Sequence, residues 1–341
     1  MATYESKRLV VTDEQIDFAL TPYKRVIERE LRRLREHDSE LSTVAADFLE
    51  SGGKRVRPIM TLLVCEALRG SYEDAMPIAL AYELAHAASL TQDDIIDESP
   101  TRHNKQTVHT KHGVTTAILV SDMLIFRIFE QLGHYANSTI KKEQLSLLIE
   151  YVAKSAKSAA EGEFLEMRLA KKGEPTVEDY VKLAGLKTGA LFGASGASGA
   201  IVAGSRTRVV RDLYEFGKNV GIAFQIADDV LDLTGTSEEL GKPMMKDMQN
   251  DVMNLVLVHA LSRADTNRNS QIRSMLKRTS YGMVDVVELL GTLDDLGSVE
   301  YAEKLGQKHA AKAREKLKQL PECHARKVLE DITGWVEVRR R

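Results

Sequence analysis

The 341-residue chain has little of several residue types that mark particular protein classes. It has only 2 cysteines, Cys65 and Cys323, too few for a disulfide framework or for a zinc site built on cysteine. It also lacks an apolar run long enough to span a membrane and an N-terminal pattern typical of a signal peptide. These absences predict a cytoplasmic protein without membrane spans.

The charge and the loop composition exclude two further classes. The net charge is −3 with both signs mixed along the chain, which argues against nucleic-acid binding. No Gly/Ser-rich or Pro-rich linker interrupts the sequence, and 43% of the residues are hydrophobic. We therefore expect one domain over residues 1–341.

Helix-forming patterns dominate. Ala, Leu, Glu and Lys are frequent and apolar residues recur at threes and fours, whereas strand-like alternation is rare, so the sequence predicts an all-α fold without a sheet. Thr176 and Asp179 are spaced as a capping box. Residues 189–204 are rich in Gly, Ala and Ser and favour a closely packed helix over a flexible linker. The predicted helices are 13–36, 75–97, 117–133, 141–169, 176–202, 206–232 and 301–320.

Two aspartate clusters, residues 93–97 and 228–232, are the most informative feature. Positions i and i+4 share one face of a helix, so Asp93 with Asp97, and Asp228 with Asp232, would form carboxylate pairs. Such pairs repel each other and are costly to bury unless cations neutralise them. Hard oxygen ligands favour Mg²⁺, which binds carboxylates together with substrate phosphates.

Cationic and polar side chains accompany both clusters. The segment Gly52-Gly53-Lys54-Arg55-Val56-Arg57-Pro58 combines turn-forming glycines with donors suited to phosphate. Each signal alone is typical of a solvated surface, but together they favour a diphosphate bridged by Mg²⁺. His109 and His112 have zinc-like spacing without a third ligand, which favours a loop or helix-start role. The other accompanying residues are His86, Arg102, His103, Lys105, Lys187, Thr188, Phe224, Gln225, Lys242 and Lys246.

With these motifs in this order, the chain resembles the all-trans isoprenyl diphosphate synthases (polyprenyl synthetases). The resemblance includes residues 52–58, 93–97, 107–109, 187–188, 224–225, 228–232 and 241–243. It implies an all-α bundle around a deep central cavity, acting as a homodimer or with a related subunit. It also implies that an allylic diphosphate is joined to isopentenyl diphosphate with Mg²⁺ as cofactor.

The resemblance assigns a role to each matching residue. Mg²⁺ on the allylic diphosphate would be held by Asp93, Asp94, Asp97, Asp228 and Asp232. The same diphosphate would be contacted by Arg102, Lys187 and Lys242, with Thr188 and Gln225 beside it. Isopentenyl diphosphate would be held by Lys54, Arg57 and His86, with His103 near it. The catalytic set would be Asp93, Asp97, Arg102, Lys187, Asp228 and Lys242.

The chain departs from the family pattern at four positions. His103 stands where a second arginine is usual, and Val252 where a lysine is usual. Asn254 and Val256 replace the Thr and Pro that commonly follow. These changes bear on affinity, on rate and on the need for a partner subunit, and Lys246 is a candidate substitute for the missing lysine.

Product length in this family depends on the residues one turn before the first aspartate motif. Here they are Ala88 and Ser89, neither of them bulky, which predicts products of twenty carbons or more. Met123, Phe126 and Phe129 could form a lower floor, but an ordinary core position is the favoured interpretation. Two other functions stay open: a poorly active or non-catalytic subunit of a heteromeric synthase, and a terpene cyclase, which the second aspartate motif disfavours.

Overall fold

A computed structural model describes residues 11–35, 39–50, 52–102, 105–172, 174–234, 253–276 and 283–338. The first half contains α1 Asp13–Arg33, α2 Glu40–Leu49, α3 Val56–Ala67, α4 Tyr72–Ile96, β1 Thr101–Arg102, β2 Lys105–Gln106, α5 Val108–His112, α6 Val114–Gly133 and a 3₁₀ turn at His134–Asn137. The second half contains α7 Lys142–Lys172, α8 Val177–Ala184, a π turn at Gly185–Gly189, α9 Ala190–Val202 and α10 Thr207–Thr234. It ends with α11 Leu255–Arg263, α12 Thr266–Leu276, α13 Met283–Asp295, α14 Ser298–Leu317 and α15 His324–Val338.

The all-α prediction is confirmed, and each predicted helix has a counterpart. The Thr176 side chain accepts a hydrogen bond from the Asp179 N–H, and the Asp179 carboxylate accepts one from the Thr176 N–H, as a capping box requires. The expectation of no sheet is wrong in one place: β1 and β2 form a two-stranded antiparallel hairpin, pairing Thr101 with Gln106. Four residues of pairing are too short to show an alternating pattern in sequence.

Two prolines lie inside helices instead of at their ends, Pro22 in α1 and Pro77 in α4. Helix α4 begins at Tyr72, before the predicted start at residue 75, because the Ser71 side chain caps it by accepting from the Asp74 N–H. Beside Pro77, the hydroxyl of Tyr135 takes part in the backbone hydrogen bonding of α4. It accepts from the Ile78 N–H at 3.2 Å and donates to the Asp74 carbonyl at 2.8 Å. A proline interior to a helix normally disrupts such bonds, so this hydroxyl keeps α4 continuous.

Helix α9 is buried along its whole length and lies at the centre of the packing. It contacts α3, α4, α7 and α10. Its glycines permit very close approach: a methyl group at Gly196 would lie 2.5 Å from the Leu213 carbonyl oxygen, and one at Gly199 would lie 2.4 Å from that of Thr61. The prediction of a closely packed helix over residues 189–204 is confirmed.

Two apolar clusters divide the interior, and α10 contributes to both. The larger involves α1–α4, α6, α7, α9 and α15 with the first part of α10, and it contains Trp335 and Phe216. The smaller involves α8, α11, α12, α13 and the second part of α10, and it contains Tyr180 and Leu233. In the part of the chain that is described, no helix has the length and apolar character to cross a membrane.

Candidate active site

The first aspartate cluster lies at the carboxyl end of α4. Asp93 and Asp94 are in its last turn, and Asp97 is the C-cap residue, whose N–H donates to the Asp93 carbonyl. Free carbonyls give a helix C-terminus partial negative charge, which disfavours carboxylates and favours cations there. The position therefore suits a site that receives positive charge from outside the helix.

Arg102 joins the hairpin to this cluster. Its Nε and Nη2 atoms lie 2.9 Å and 2.8 Å from Oδ1 of Asp94, whose side chain is 2% exposed. The other oxygen, Oδ2 of Asp94, is buried and has no hydrogen-bond partner among the described residues. A buried carboxylate oxygen with an open lone pair is a natural position for a further cation.

The second aspartate cluster lies at the carboxyl end of α10. Asp228 is half-buried, whereas Asp229 and Asp232 are buried. Both carboxylate oxygens of Asp229 accept hydrogen bonds from the protein. Oδ2 accepts from the Leu255 N–H at 2.8 Å, and Oδ1 accepts from Nε2 of Gln225 at 3.2 Å. Asp228 and Asp232, one turn apart near the end of α10, are the ligand pair that the i, i+4 spacing predicts.

Lys187 and Thr188 lie in the π turn, between the two clusters. Thr188 Oγ1 donates to Oε1 of Gln225 at 2.9 Å, which ties the turn to α10. The turn also approaches α7 closely, because a methyl group at Gly162 would lie 2.7 Å from the Lys187 backbone nitrogen. Irregular turns of this type often occur at functional sites.

Two glutamates of α7 complete the surroundings of Lys187. Its Nζ lies 2.6 Å from Oε2 of Glu163 and 2.6 Å from Oε2 of Glu166. Sequence reasoning missed both residues. The available signal was their i, i+3 spacing on a predicted helix, which is also typical of solvated surface charges.

The charges in this region perturb one another. Burial, with repulsion from Glu163 and Asp97, raises the pKa of Asp93 to about 7, although Lys187 and Arg102 oppose the shift. Burial also raises the pKa of Glu166. Burial alone would lower the pKa of Lys187, but attraction to Glu166, Asp93 and Glu163 outweighs it and raises the pKa. Among the described residues, the carboxylates around Lys187 therefore raise one another's pKa, and Lys187 and Arg102 oppose this effect only in part.

The basic segment 52–58, which continues into the first turn of α3, supplies a second group of cations. Gly52 and Gly53 have φ of +110° and +128°, which only glycine adopts readily. The Arg57 guanidinium lies 4.4 Å from the centre of the Phe192 ring. Burial lowers the pKa of Arg57 to about 10, while Glu83 and Asp228 oppose that shift. Arg57 thus lies within the electrostatic reach of the second aspartate cluster.

The remaining predicted phosphate contacts are placed differently. Lys54 contacts α1 and α15, with Nζ 3.2 Å from Asp17 and 5.0 Å from the Trp335 ring centre. His86 is half-buried on α4, two turns before Asp93. His103, Lys242, Lys246 and Val252 lie outside the described residues. Asn254 and Val256 are described: Asn254 caps α11 by accepting from the Val256 N–H.

The positions predicted to set product length lie on the inner part of α4. Ala88 is buried and its carbonyl accepts from Ser121 of α6, while Ser89 is half-buried. The favoured core assignment of Phe126 and Phe129 is wrong, because these side chains are 65% and 62% exposed. They lie on the outer side of α6, whose inner side packs against α4. A groove of about 540 Å³ between α7 and α10 involves none of the predicted site residues.

The donor set fits Mg²⁺ in chemistry. All five predicted ligands are carboxylates, and buried Asp94 has an open oxygen. Within the described ranges, no group of three or more carboxylate, His or Cys side chains is arranged to hold a metal ion. Mg²⁺ commonly takes one or two carboxylates and completes its shell with water and substrate phosphates.

Known proteins share both the sequence and the fold. The family profile for polyprenyl synthetase matches residues 38–292. The short chain isoprenyl diphosphate synthase of Methanothermobacter thermautotrophicus is 33% identical over 309 residues, covering 89% of this chain and 93% of that protein. The crystal structure of geranylgeranyl pyrophosphate synthetase from Pyrococcus horikoshii Ot3 has a TM-score of 0.89 at 33% identity, covering 96% of this chain and 99% of that chain.

A second solved structure bears on the ligands. The polyprenyl synthase of Caulobacter crescentus CB15, crystallised with calcium and isoprenyl diphosphate, has a TM-score of 0.87 at 26% identity, covering 98% of this chain and 100% of that chain. Sequence identity, the family profile and the shared helical fold lead to the same assignment: the chain belongs to the polyprenyl synthetase family.

Proposed function

We propose that this chain is a Mg²⁺-dependent trans-prenyltransferase, which condenses an allylic diphosphate with isopentenyl diphosphate to give a product of twenty carbons or more. One observation carries the proposal: the Lys187–Thr188 turn connects the two aspartate clusters. Lys187 interacts by charge with Asp93, and Thr188 reaches the second cluster through Gln225. The Pyrococcus relative makes a geranylgeranyl product by name, which agrees with the predicted length.

The allylic diphosphate would bind between the carboxyl ends of α4 and α10. Asp93, Asp94, Asp97, Asp228 and Asp232 would hold the metal there. Bound Mg²⁺ supplies Lewis-acid stabilisation of the charge that grows on the diphosphate as the allylic C–O bond breaks. Arg102 and Lys187 would donate to the same group once the substrate is bound, and would need no further reorganisation as the C–O bond breaks. Lys187 must exchange a glutamate for a phosphate oxygen when the substrate arrives.

Isopentenyl diphosphate would bind beside the basic segment. Arg57 is fixed on the Phe192 ring and His86 projects from α4, so both can hold this second diphosphate. Lys54 would have to turn from Asp17 to join them. The double bond of isopentenyl diphosphate then attacks the allylic cation, and a proton is lost to the released diphosphate. No nucleophilic side chain takes part, but the cation must be kept from water.

The decisive experiment is a single-chain assay with Mg²⁺, isopentenyl diphosphate and farnesyl diphosphate, followed by chromatography of the products. The wild type should give a prenyl diphosphate of at least twenty carbons. Replacing Asp93 and Asp228 together with asparagine should abolish condensation, and an unchanged rate would refute the proposal. A silent wild type would favour the partner-dependent subunit, and a cyclic hydrocarbon would favour the terpene cyclase.

We also propose that two copies of the chain form a homodimer through α6 and α7. Both helices contact α4 and carry apolar side chains on their outer sides. An apolar stripe on a soluble helix normally marks a contact surface. On α6 the exposed residues are Val114, Ile118, Leu119, Phe126 and Phe129, and on α7 they are Ile149, Ala153, Ala156, Ala160, Phe164 and Met167. A related subunit on this surface would instead give a heteromer.

The cellular location follows from weaker observations. Cys65 is a buried free thiol and Cys323 an exposed one. Free thiols are typical of a reducing compartment, and we propose the cytoplasm.

A further inference from the structure

Glu83 is a buried carboxylate of α4 that the proposed reaction does not use. Its side chain is 5% exposed and its Oε1 lies 2.5 Å from Nη1 of Arg55, whose side chain is 6% exposed. Arg55 also donates through Nη2 to the carbonyl of Leu49, the last residue of α2. The Glu83–Arg55 pair therefore connects α2, α4 and the start of α3.

The backbone of Arg55 needs this support. Arg55 is the N-cap residue of α3 and has φ of 53°, in the left-handed region that a non-glycine residue rarely adopts. A residue in that region persists only when its surroundings fix it, and such residues cluster at functional sites. The fixed side chain of Arg55 sets the direction in which the chain enters α3, between Lys54 and Arg57.

Glu83 also lies near two of the groups proposed to hold isopentenyl diphosphate, Arg57 and His86. Its charge opposes the burial effect that lowers the pKa of Arg57. On α4 it lies three residues before His86, which places both side chains on neighbouring positions of one helical surface. Through its contact with Arg55, the Glu83 carboxylate thus connects the basic segment to α4, the helix that carries His86 and the first aspartate cluster.

From these contacts we propose that Glu83 is a positioning residue for the isopentenyl diphosphate site. It holds Arg55, and through Arg55 it fixes residues 52–57 so that Arg57 and Lys54 meet the second diphosphate beside His86. The inference rests on the proposed function and refines it. It assigns to Glu83 a larger effect on isopentenyl diphosphate than on the allylic diphosphate. Arg55 is close in sequence to Lys54 and Arg57, whereas the described residues predicted to contact the allylic diphosphate lie on the hairpin, the π turn and the carboxyl ends of α4 and α10.

A Glu83→Gln variant tests the inference, because an effect of charge alone and an effect of positioning change the affinity for isopentenyl diphosphate in opposite directions. Removing a negative charge near two arginines should strengthen diphosphate binding if charge alone matters. If positioning matters, affinity for isopentenyl diphosphate should fall about tenfold or more, since small displacements of binding groups are costly. Affinity for farnesyl diphosphate with Mg²⁺ should change less than about twofold. Calorimetric titration of each substrate alone measures both without turnover.

The second variant is Arg55→Lys, which keeps the charge and loses the double contact to Glu83 and Leu49. It should show the same selective loss, and the double variant should be no worse than either single one. Asp212→Asn, which removes a 2.6 Å contact to Lys316 between α10 and α14, is the control and should leave both affinities unchanged.

The possible outcomes are distinct. Tighter isopentenyl diphosphate binding, unchanged binding, or equal loss for both substrates in Glu83→Gln would overturn the inference, and so would additive effects in the double variant. If Glu83→Gln does not fold, Arg55→Lys decides by the same selectivity. A wild type that binds neither substrate would refute the proposed function itself and, with it, the role of Glu83.

Discussion

Asp228 and Asp229 are adjacent, but replacing each with asparagine should have different effects. We expect Asp228→Asn to lower mainly the reaction rate and Asp229→Asn to lower mainly the stability of the fold. Asp229 accepts hydrogen bonds from the Leu255 N–H and from Gln225, and its own carbonyl accepts one from Nδ2 of Asn254 at 2.9 Å. Asp228 is half-buried and lies within the electrostatic reach of Arg57. These contacts predict a structural role for Asp229, whereas the spacing and the family resemblance assign metal binding to Asp228.

The magnitudes follow from these contacts. Hydrogen bonds to a charged group contribute about 1.5–3 kcal/mol each, and an asparagine amide can accept through one oxygen only. We expect Asp229→Asn to lower the free energy of unfolding by roughly 2 kcal/mol. At about 2–4 °C per kcal/mol, Tm should fall by a few degrees. In Asp228→Asn the lost attraction to Arg57 and the relieved repulsion with Asp232 offset each other, so Tm should change by less than about 2 °C.

Activity should show the reverse order. Loss of a group that stabilises the departing charge lowers the rate by roughly 100-fold or more, which we expect for Asp228→Asn. Asp229→Asn should lower it by less than about tenfold, because Asp229 acts only by fixing α11 and Gln225. Thermal unfolding without Mg²⁺ and initial rates at saturating substrates measure the two effects. Equal Tm values for the variants, or an inactive Asp229→Asn with wild-type Tm, would refute this division of roles.

Three further predictions use other parts of the structure. Ser89→Phe should shorten the product, because a ring would fill the space below the first aspartate cluster, and an unchanged chromatogram would refute that placement. Since the pKa of folded Asp93 is about 7, above its usual 3.8, protonated Asp93 favours the folded state, and this stabilisation is lost as pH rises through 7. The Tm of metal-free protein should then fall more between pH 5 and 8 in wild type than in Asp93→Asn, and parallel curves would contradict the shift. Phe126→Glu should dissociate the dimer in light scattering, whereas Phe18→Glu on α1, which is 84% exposed, should not; a dimer that survives the first change would place the interface elsewhere.

Local patterns predicted much of the fold because they report local forces. The period of three and four residues identified the long amphipathic helices, and the Thr176 capping box is a four-residue device that the structure reproduces. The aspartate spacing likewise gave the helical faces, since i and i+4 are fixed by helix geometry. These predictions needed no knowledge of which helices pack together.

The features of the site that could not be predicted from the sequence depend on packing between distant segments. In sequence, Glu163 and Glu166 have the spacing of ordinary helix-surface charges. Their ion pairs with Lys187 depend on the π turn, which lies close to α7 at Gly162. Arg55 and Glu83 form a buried ion pair although they lie far apart in the sequence, at the start of α3 and within α4. Phe126 is of a residue type that is usually buried, and only the orientation of α6 in the fold shows that its side chain faces outward.

The placement of acidic groups explains how the fold and the chemistry are coupled. Both aspartate clusters lie at helix carboxyl ends, where the backbone dipole opposes negative charge, and burial together with Glu163 raises the pKa of Asp93 further. Arg102 and Lys187 satisfy only part of this charge. A metal ion alone would lack phosphate ligands, and a diphosphate alone would meet carboxylates that repel it. Each should therefore bind weakly by itself and strongly with the other, so that the charge needed for departure of the diphosphate is assembled only when the substrate is present.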